Sequence, residues 1–413
     1  MENDMKIKVN SEIGRLRAVL LHCPGRELEN LTPDTLEELL FDDIPFLEVA
    51  QKEHDEFAGI LRANDVKVFY LTKLVAEAID TSEEAYEDFL NTFIEEAIAT
   101  NKYIVHSFEA KKAVREFLEI YTSSHEMVKK TIEGIRVTEI PGSEQLVKSN
   151  YLFICNPLPN LYFQRDPFIS IGNGASINHM YSVTRNRETL YADTMFKYHP
   201  MWQINPIPKW YERTNENTIE GGDVLILNET TLAIGISQRT DLEGIQRLAY
   251  NIFFNEDNQF ENIIAINIGE SRKYMHLDTV FTQVDYDKFS VHPDIIHEGV
   301  EIFEITKDGE DIKLEKATYQ LDELLAKYTN QEQVTLIKCG GDDEIASARE
   351  QWNDGANTLA IAPGEVIVYS RNPVTNKLLE DQGIKIHVMS SAELSRGRGG
   401  PRCMSMPLIR DDI

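Results

Sequence analysis

The sequence predicts an α/β protein assembled from repeated β-β-α-β modules and interrupted by one helical insertion. At 413 residues the chain is longer than a typical single domain, which favours one large domain with an insertion or two domains. Between about residues 72 and 134 apolar residues recur at helical spacing and strand signals vanish. On the far side of that stretch one order of elements (hairpin, helix, strand) repeats with little sequence identity between copies.

In chain order, residues 16–22 (LRAVLLH) read as a buried strand ended by Pro24-Gly25. Pro45 opens an amphipathic helix to about Ala63, and residues 66–71 (VKVFYL) form the next strand. Residues 36–43 (LEELLFDD) read as a short surface helix, with a loop over a cleft as the alternative. In the helical stretch, Ala85, Phe89, Phe93, Ile94 and Ala97 line one face and Val114, Phe117, Leu118 and Tyr121 another. Pro141-Gly142 closes it.

The clearest module runs from Asn217. GDVLIL and TLAIGIS form a hairpin turning at Asn228-Glu229, followed by a helix over 242–254 and a strand over 263–268. A second copy comprises 358–361, 366–369, a helix over 374–381 and a strand over 384–389. Weaker versions fit 166–206 and 278–338, and the N-terminal strand–helix–strand reads as a degenerate fifth. Strand ends and loops of such repeats converge on one pocket.

Composition narrows the partners. With 69 acidic against 41 basic residues the net charge is −28, which argues against nucleic acid and anionic membrane. No segment reaches the roughly 18 apolar residues a membrane span needs, and no apolar run follows Met1–Asp4, so neither span nor signal peptide is expected. Cys23, Cys155, Cys339 and Cys403 are scattered without close pairs, so neither a disulfide framework nor a zinc cluster is expected.

Polar residues interrupt the modules where strands begin. Asn160 and Asp166 lie in LPNLYFQRDP, Glu220 and Asp223 in EGGD, His276 and Asp278 in HLD, and Cys403 ends the glycine-rich SRGRGGPRC, near Arg398 and next to Arg402. Each has an ordinary reading: a turn residue, a cap, a satisfied buried histidine, an inert core cysteine. If the chain is extended at 276–278, His276 and Asp278 face the same side. No metal is expected, because the acids are remote in sequence and no ligand spacing accompanies them. No nucleotide is expected either: Gly397–Gly400 precedes no helix, and Gly340-Gly341 lacks the P-loop lysine.

In this order FQRDP, EGGD, HLDTVF and SRGRGGPRCMSMP resemble the arginine deiminases of the guanidino-group modifying superfamily. The resemblance covers nearly the whole chain, helical insertion included. It implies a five-bladed, pseudo-symmetric α/β propeller formed by residues 1–72 and 150–413, with 73–149 as an inserted helical domain. It also implies hydrolysis of free L-arginine to citrulline and ammonia, without cofactor, through an S-alkylthiouronium on Cys403. Asp166 and Asp278 would hold the guanidinium, His276 would serve as acid and then base, and Glu220 would orient His276. For the other end of the substrate the family pattern matches Arg185, Arg239, Asn160 and Arg398. Without the resemblance, Arg185 and Arg239 read as surface ion pairs at helix starts. Where this chain has Arg402, some members carry histidine. A cytoplasmic homo-oligomer, dimer or higher, is expected. Because carboxylates in reach of the sulfur oppose thiolate formation, Cys403 is expected to be activated chiefly by substrate. The competing readings are an amidinotransferase with the same catalytic groups and a non-catalytic arginine-binding protein.

Overall fold

The computed structural model describes residues 5–148, 151–257, 259–271, 273–296 and 299–413. Residues 1–4, and the domain boundary expected at 149/150, lie outside the described residues. The architecture is α/β with mixed sheets, and one local order recurs: an antiparallel pair, then a third strand parallel to the second. Phe168–Ile171, Gly174–Ile177 and Lys209–Tyr211 form one such sheet. Val224–Asn228, Thr231–Ser237 and Asn262–Gly269 form the next. Two more are Phe281–Asp285 with Lys288–Val291 and Thr335–Lys338, and Leu359–Ala362 with Glu365–Tyr369 and Lys385–Met389.

The sheet at the chain's start takes its antiparallel strand from the chain's end. Leu16–Leu21 runs parallel to Lys67–Tyr70 and antiparallel to Met406–Arg410. The last strand thus completes the degenerate N-terminal copy and carries the residues just before it, Cys403 among them, back to the first sheet. Leu16–Leu21 is buried except at Arg17, as its almost unbroken apolar run requires once it has a partner on each side.

Two expectations need correction. The stretch 278–338 does form a module, but an interrupted one: between its second strand and its helix, Ile302–Asp308 and Asp311–Lys316 form a hairpin that joins the preceding sheet through Asn262–Gly269. Its outer strand has no buried residue and carries Lys313, Glu315 and Lys316, as an unpaired edge demands. Residues 36–43 are not a helix but a run of turns, with Leu40 at φ +56° and Leu39 and Phe41 buried. A left-handed residue breaks the 3.6 period and lets both neighbours point inward.

The helical stretch contains Leu71–Ile79, Glu83–Thr100, Ser107–Leu118 and Ser124–Glu133. The side chains of Ser82 and Ser123 cap the second and fourth by accepting from the Ala85 and Glu126 amides. Phe89, Phe93, Ile94, Val114 and Leu118 are buried in a core shared with Tyr191, Met195 and Trp202. This continuous core ties the helices to the sheet that carries Asp166 onto its first strand.

Candidate active site

Most of the chemistry arrives on the turns that open strands. Asp166 lies in the turn before Phe168–Ile171 and Cys403 in the turn before Met406–Arg410. Glu220 and His276 each precede a single 3-10 turn, Gly221–Asp223 and Leu277–Thr279 respectively. His276 is extended, but Asp278 falls inside its turn, so the two are not placed by strand alternation. Asp223 ties the two turns together by accepting from the Leu277 amide and the Ser237 hydroxyl, both at 2.8 Å. Burial raises its pKa to about 6. Glycine is required at 222, where a Cβ would lie 2.7 Å from the His276 ring.

One half of the site is built on His276. Its Nε2 lies 2.7 Å from Glu220 Oε2 and its Nδ1 is 3.7 Å from Asp166 Oδ1. The other Glu220 oxygen accepts from the Tyr181 amide at 3.1 Å, and Arg239 approaches Oε2 at 3.4 Å. Burial alone would lower the histidine's pKa, but the Asp166 charge and the hydrogen bond to Glu220 carry it up to about 9. Against its own burial, Glu220 is held well below the usual carboxylate range by Arg239 and then by His276. At neutral pH the pair is therefore imidazolium and carboxylate.

The other half is built on Cys403. Its Sγ lies 3.5 Å from Asp278 Oδ2 and receives the Asn357 amide at 3.1 Å. Burial, then Asp278, Asp166 and Asp354, push the thiol well above its ordinary pKa, opposed only in part by the Gly400 amide. The flanking arginines do not offset this. Arg402 donates to Asp278 Oδ2 at 2.8 Å and binds Glu12 through two contacts of 3.0 Å, so two carboxylates absorb its charge. The Arg398 guanidinium stacks 3.5 Å above the centroid of Trp352 and donates to the Lys273 carbonyl.

Asp166 links the halves, since its charge acts on both His276 and Cys403. Its Oδ2 accepts from Arg185 at 2.9 Å, whereas Oδ1 of Asp166 and Oδ1 of Asp278 are buried without a hydrogen-bond partner among the described residues. Buried carboxylate oxygens left unpaired are costly unless a donor is to occupy them. Two such acceptors from different sheets, beside a thiol and an imidazolium, match a flat cation with several N–H groups. Asp166, Glu220 and His276 also offer ligand atoms within 4.8 Å of one another, as a metal would need. The donor set fits poorly, however: the imidazole is held protonated and both acids are engaged by arginines.

The remaining expected residues are placed unevenly. Arg185 and Arg239 are buried, not on the surface, and both reach the acids of the site. Arg185 is already clamped by Glu188 at 3.1 and 2.8 Å. Asn160 is buried and donates to the Leu39 carbonyl at 2.6 Å, tying the 36–43 turns to the segment before Asp166. Sequence reasoning missed Glu12, Glu188, Asp354 and Asn357. Of these only the last two carried a signal, in the turn Asn353-Asp-Gly-Ala-Asn357 that opens a strand as the other site turns do.

Fold and site together define the class. The chain matches an amidinotransferase from Microseira wollei, of the saxitoxin biosynthetic pathway, with TM-score 0.57 and 16% identity, covering 98% of each chain. It matches dimethylarginine dimethylaminohydrolase from Pseudomonas aeruginosa with TM-score 0.51 and 13% identity, covering 95% of this chain and 99% of that one. The α/β architecture is thus that of the amidinotransferase and dimethylargininase structures. The family model described as arginine deiminase matches residues 37–410. Curated arginine deiminases from Clostridium perfringens and Streptococcus agalactiae are 52% and 51% identical, covering 100% and 98% of both chains. The chain belongs to the arginine deiminase family.

Proposed function

We infer that this protein hydrolyses free L-arginine to L-citrulline and ammonia. The observation that carries this is the pair of buried oxygens on Asp166 and Asp278 that have no hydrogen-bond partner among the described residues, set beside the Cys403 thiol and the His276 imidazolium. Arginine's guanidinium is a weak electrophile that stays protonated below about pH 12. The enzyme therefore has to attack the cation itself. Two carboxylates from different segments fix its plane by charge-assisted hydrogen bonds and leave one face to the sulfur.

Arrival of the cation reverses the local potential that keeps Cys403 a thiol. The thiol proton passes to Asp278 Oδ2 and the sulfur adds to the guanidinium carbon. His276 then gives its proton to the departing nitrogen. The carbon–nitrogen bond breaks, ammonia leaves, and an S-alkylthiouronium remains on Cys403. The imidazole, now neutral, takes a proton from water as the water adds to the same carbon. The carbon–sulfur bond breaks, the sulfur leaves as thiolate and takes its proton back from Asp278, the added hydroxyl gives its proton to solvent, and citrulline is released. Glu220 acts through His276, holding the ring and favouring its charged form. Arg239, whose contact with Glu220 is long, meets the substrate α-carboxylate. Arg185 holds Asp166 and lends charge to the same end, with Asn160 and Arg398 completing it.

Five sheets that share one local three-strand order support a five-bladed, pseudo-symmetric propeller of residues 1–72 and 150–413, with 73–149 inserted. Among the described residues no helix is long and apolar enough to cross a membrane. A cytoplasmic homo-oligomer completes the reading, and light scattering on the purified protein tests its size. The deciding assay mixes protein with arginine alone, with and without prior alkylation of Cys403. Citrulline and ammonia that disappear on alkylation support the reading. Ornithine formed only when an amine acceptor is present would make the chain an amidinotransferase, and arginine binding without turnover would make it a binding protein.

A further inference from the structure

We propose that Asn357 is a catalytic residue, whose side-chain amide donates to the Cys403 sulfur and stabilises its thiolate; this rests on Cys403 being the nucleophile. Asn357 is fully buried, in the turn between the helix Glu344–Trp352 and the strand Leu359–Ala362. It makes three contacts with the catalytic turns. Its Oδ1 accepts the Cys403 backbone N–H at 3.1 Å, while its Nδ2 lies 3.1 Å from Sγ and donates to the Asp278 carbonyl at 3.1 Å.

The orientation of the amide follows from its neighbours. A backbone N–H can only donate, so the atom facing Cys403 N is the oxygen, and the nitrogen must face the sulfur. A side-chain amide nitrogen carries two protons. One is taken by the Asp278 carbonyl, which can only accept, and the other is directed at Sγ. The sulfur thus faces a fixed donor whichever protonation state it is in. As a thiol it also has its own proton to place, and that proton points at Asp278 Oδ2. As a thiolate it keeps only the acceptor role, and the N–H···S contact becomes charge-assisted.

The acids around the sulfur work against the anion. Asp278, Asp166 and Asp354 all oppose it, and the buried phenols of Tyr162 and Tyr369 lie in the same electrostatic neighbourhood. Arg402 is spent on Glu12 and Asp278. Among the described residues, the Asn357 amide and the Gly400 N–H are hydrogen-bond donors that favour the anion. Gly400 itself is shaped around this contact: a Cβ there would lie 2.6 Å from the Asn357 carbonyl oxygen and 2.7 Å from its Oδ1. The last glycine of the RGRGG run is what lets the nucleophile's loop close onto Asn357.

The test compares wild type with Asn357→Asp and Asn357→Ala. Asp keeps the oxygen that receives the Cys403 N–H and loses the donor to sulfur; Ala loses both. The readouts are the pH dependence of Cys403 alkylation without substrate, and kcat and KM for arginine. In both variants the apparent thiol pKa is expected to rise by about one unit or more, with alkylation at fixed pH slowed about 10-fold. We expect kcat to fall at least as far, while KM stays within about 3-fold. Alkylation profiles that coincide with wild type would overturn the proposal whatever happens to kcat. So would variants that lose their near-UV circular dichroism and cease to bind arginine, because Asn357 would then be architectural. Wild-type protein that forms no citrulline would overturn the functional reading instead, and the alkylation comparison would still decide what Asn357 does to the sulfur.

Discussion

Replacing Glu220 by Gln removes one negative charge 2.7 Å from His276 Nε2 and leaves an amide of the same shape. Both groups are buried, so the lost interaction is a desolvated, charge-assisted hydrogen bond worth about 1.5–3 kcal/mol. At 1.36 kcal/mol per unit, that lowers the His276 pKa by about 1–2 units, from about 9 to about 7–8. Departure of ammonia needs the imidazolium, so the basic limb of the kcat/KM profile should move down by the same amount. At pH 8 the protonated fraction falls from nine-tenths to between about one-tenth and one-half, which costs about 2- to 10-fold in rate before any loss of orientation. Folding stability should follow the same linkage. With a folded pKa raised from 6.5 to about 9, the wild-type histidine contributes fully below about pH 6.5 and loses its contribution as pH rises through about 9. That pH-dependent component should shrink in Glu220→Gln. The assay is citrulline production from arginine across pH 5.5 to 10 by roughly half-unit steps, with a urea midpoint at each pH. A basic limb that stays at its wild-type position would refute the role given to Glu220.

Three further outcomes are expected. Arg239→Ala should raise KM for arginine and lower kcat/KM by about 10²- to 10³-fold, the loss of a charge-assisted pair, and abolish discrimination against agmatine, which lacks the α-carboxylate. Unchanged discrimination counts against Arg239 as the carboxylate partner. Arg402→Ala removes the ion-pair partner of two buried carboxylates, Glu12 and Asp278, and should lower stability by about 3–5 kcal/mol, read from the denaturant midpoint. A wild-type midpoint would show that the ion-pair network is not needed to hold the two turns. Finally, Cys403 in substrate-free enzyme should alkylate slowly throughout neutral pH, because burial and three carboxylates hold its pKa above the ordinary value. Fast alkylation well below pH 7 would mean that the thiolate is formed before substrate arrives.

What the sequence disclosed and what it concealed divide along physical lines. The strand-opening turns could be read because glycine and proline mark them and because an acid or histidine at such a place is unusual. The helical stretch could be read because its apolar faces keep helical spacing for several turns. The turns at 36–43 looked helical because LEELL has helical composition, and nothing local shows that Leu40 takes a left-handed backbone. The hairpin at 302–316 was not separated from the module it interrupts, since its sheet is set by register with a remote partner. Arg402 and Glu12 are 390 residues apart and meet only because the final strand returns to the first sheet. Asn357 carried a turn signal of the same kind as the other site residues, yet an asparagine before a strand is so often a mere turn former that its contact with sulfur had to be seen in three dimensions.

The central claim, that Cys403 adds to the guanidinium carbon of arginine and ammonia leaves from the adduct, is tested most directly by acid quench during turnover followed by mass spectrometry of the proteolysed protein. The predicted result is a peptide carrying Cys403 heavier by arginine less ammonia, absent from Cys403→Ser protein and lost when turnover is allowed to finish. Citrulline produced at the wild-type rate by Cys403→Ser, or an adduct on any other residue, would contradict the account.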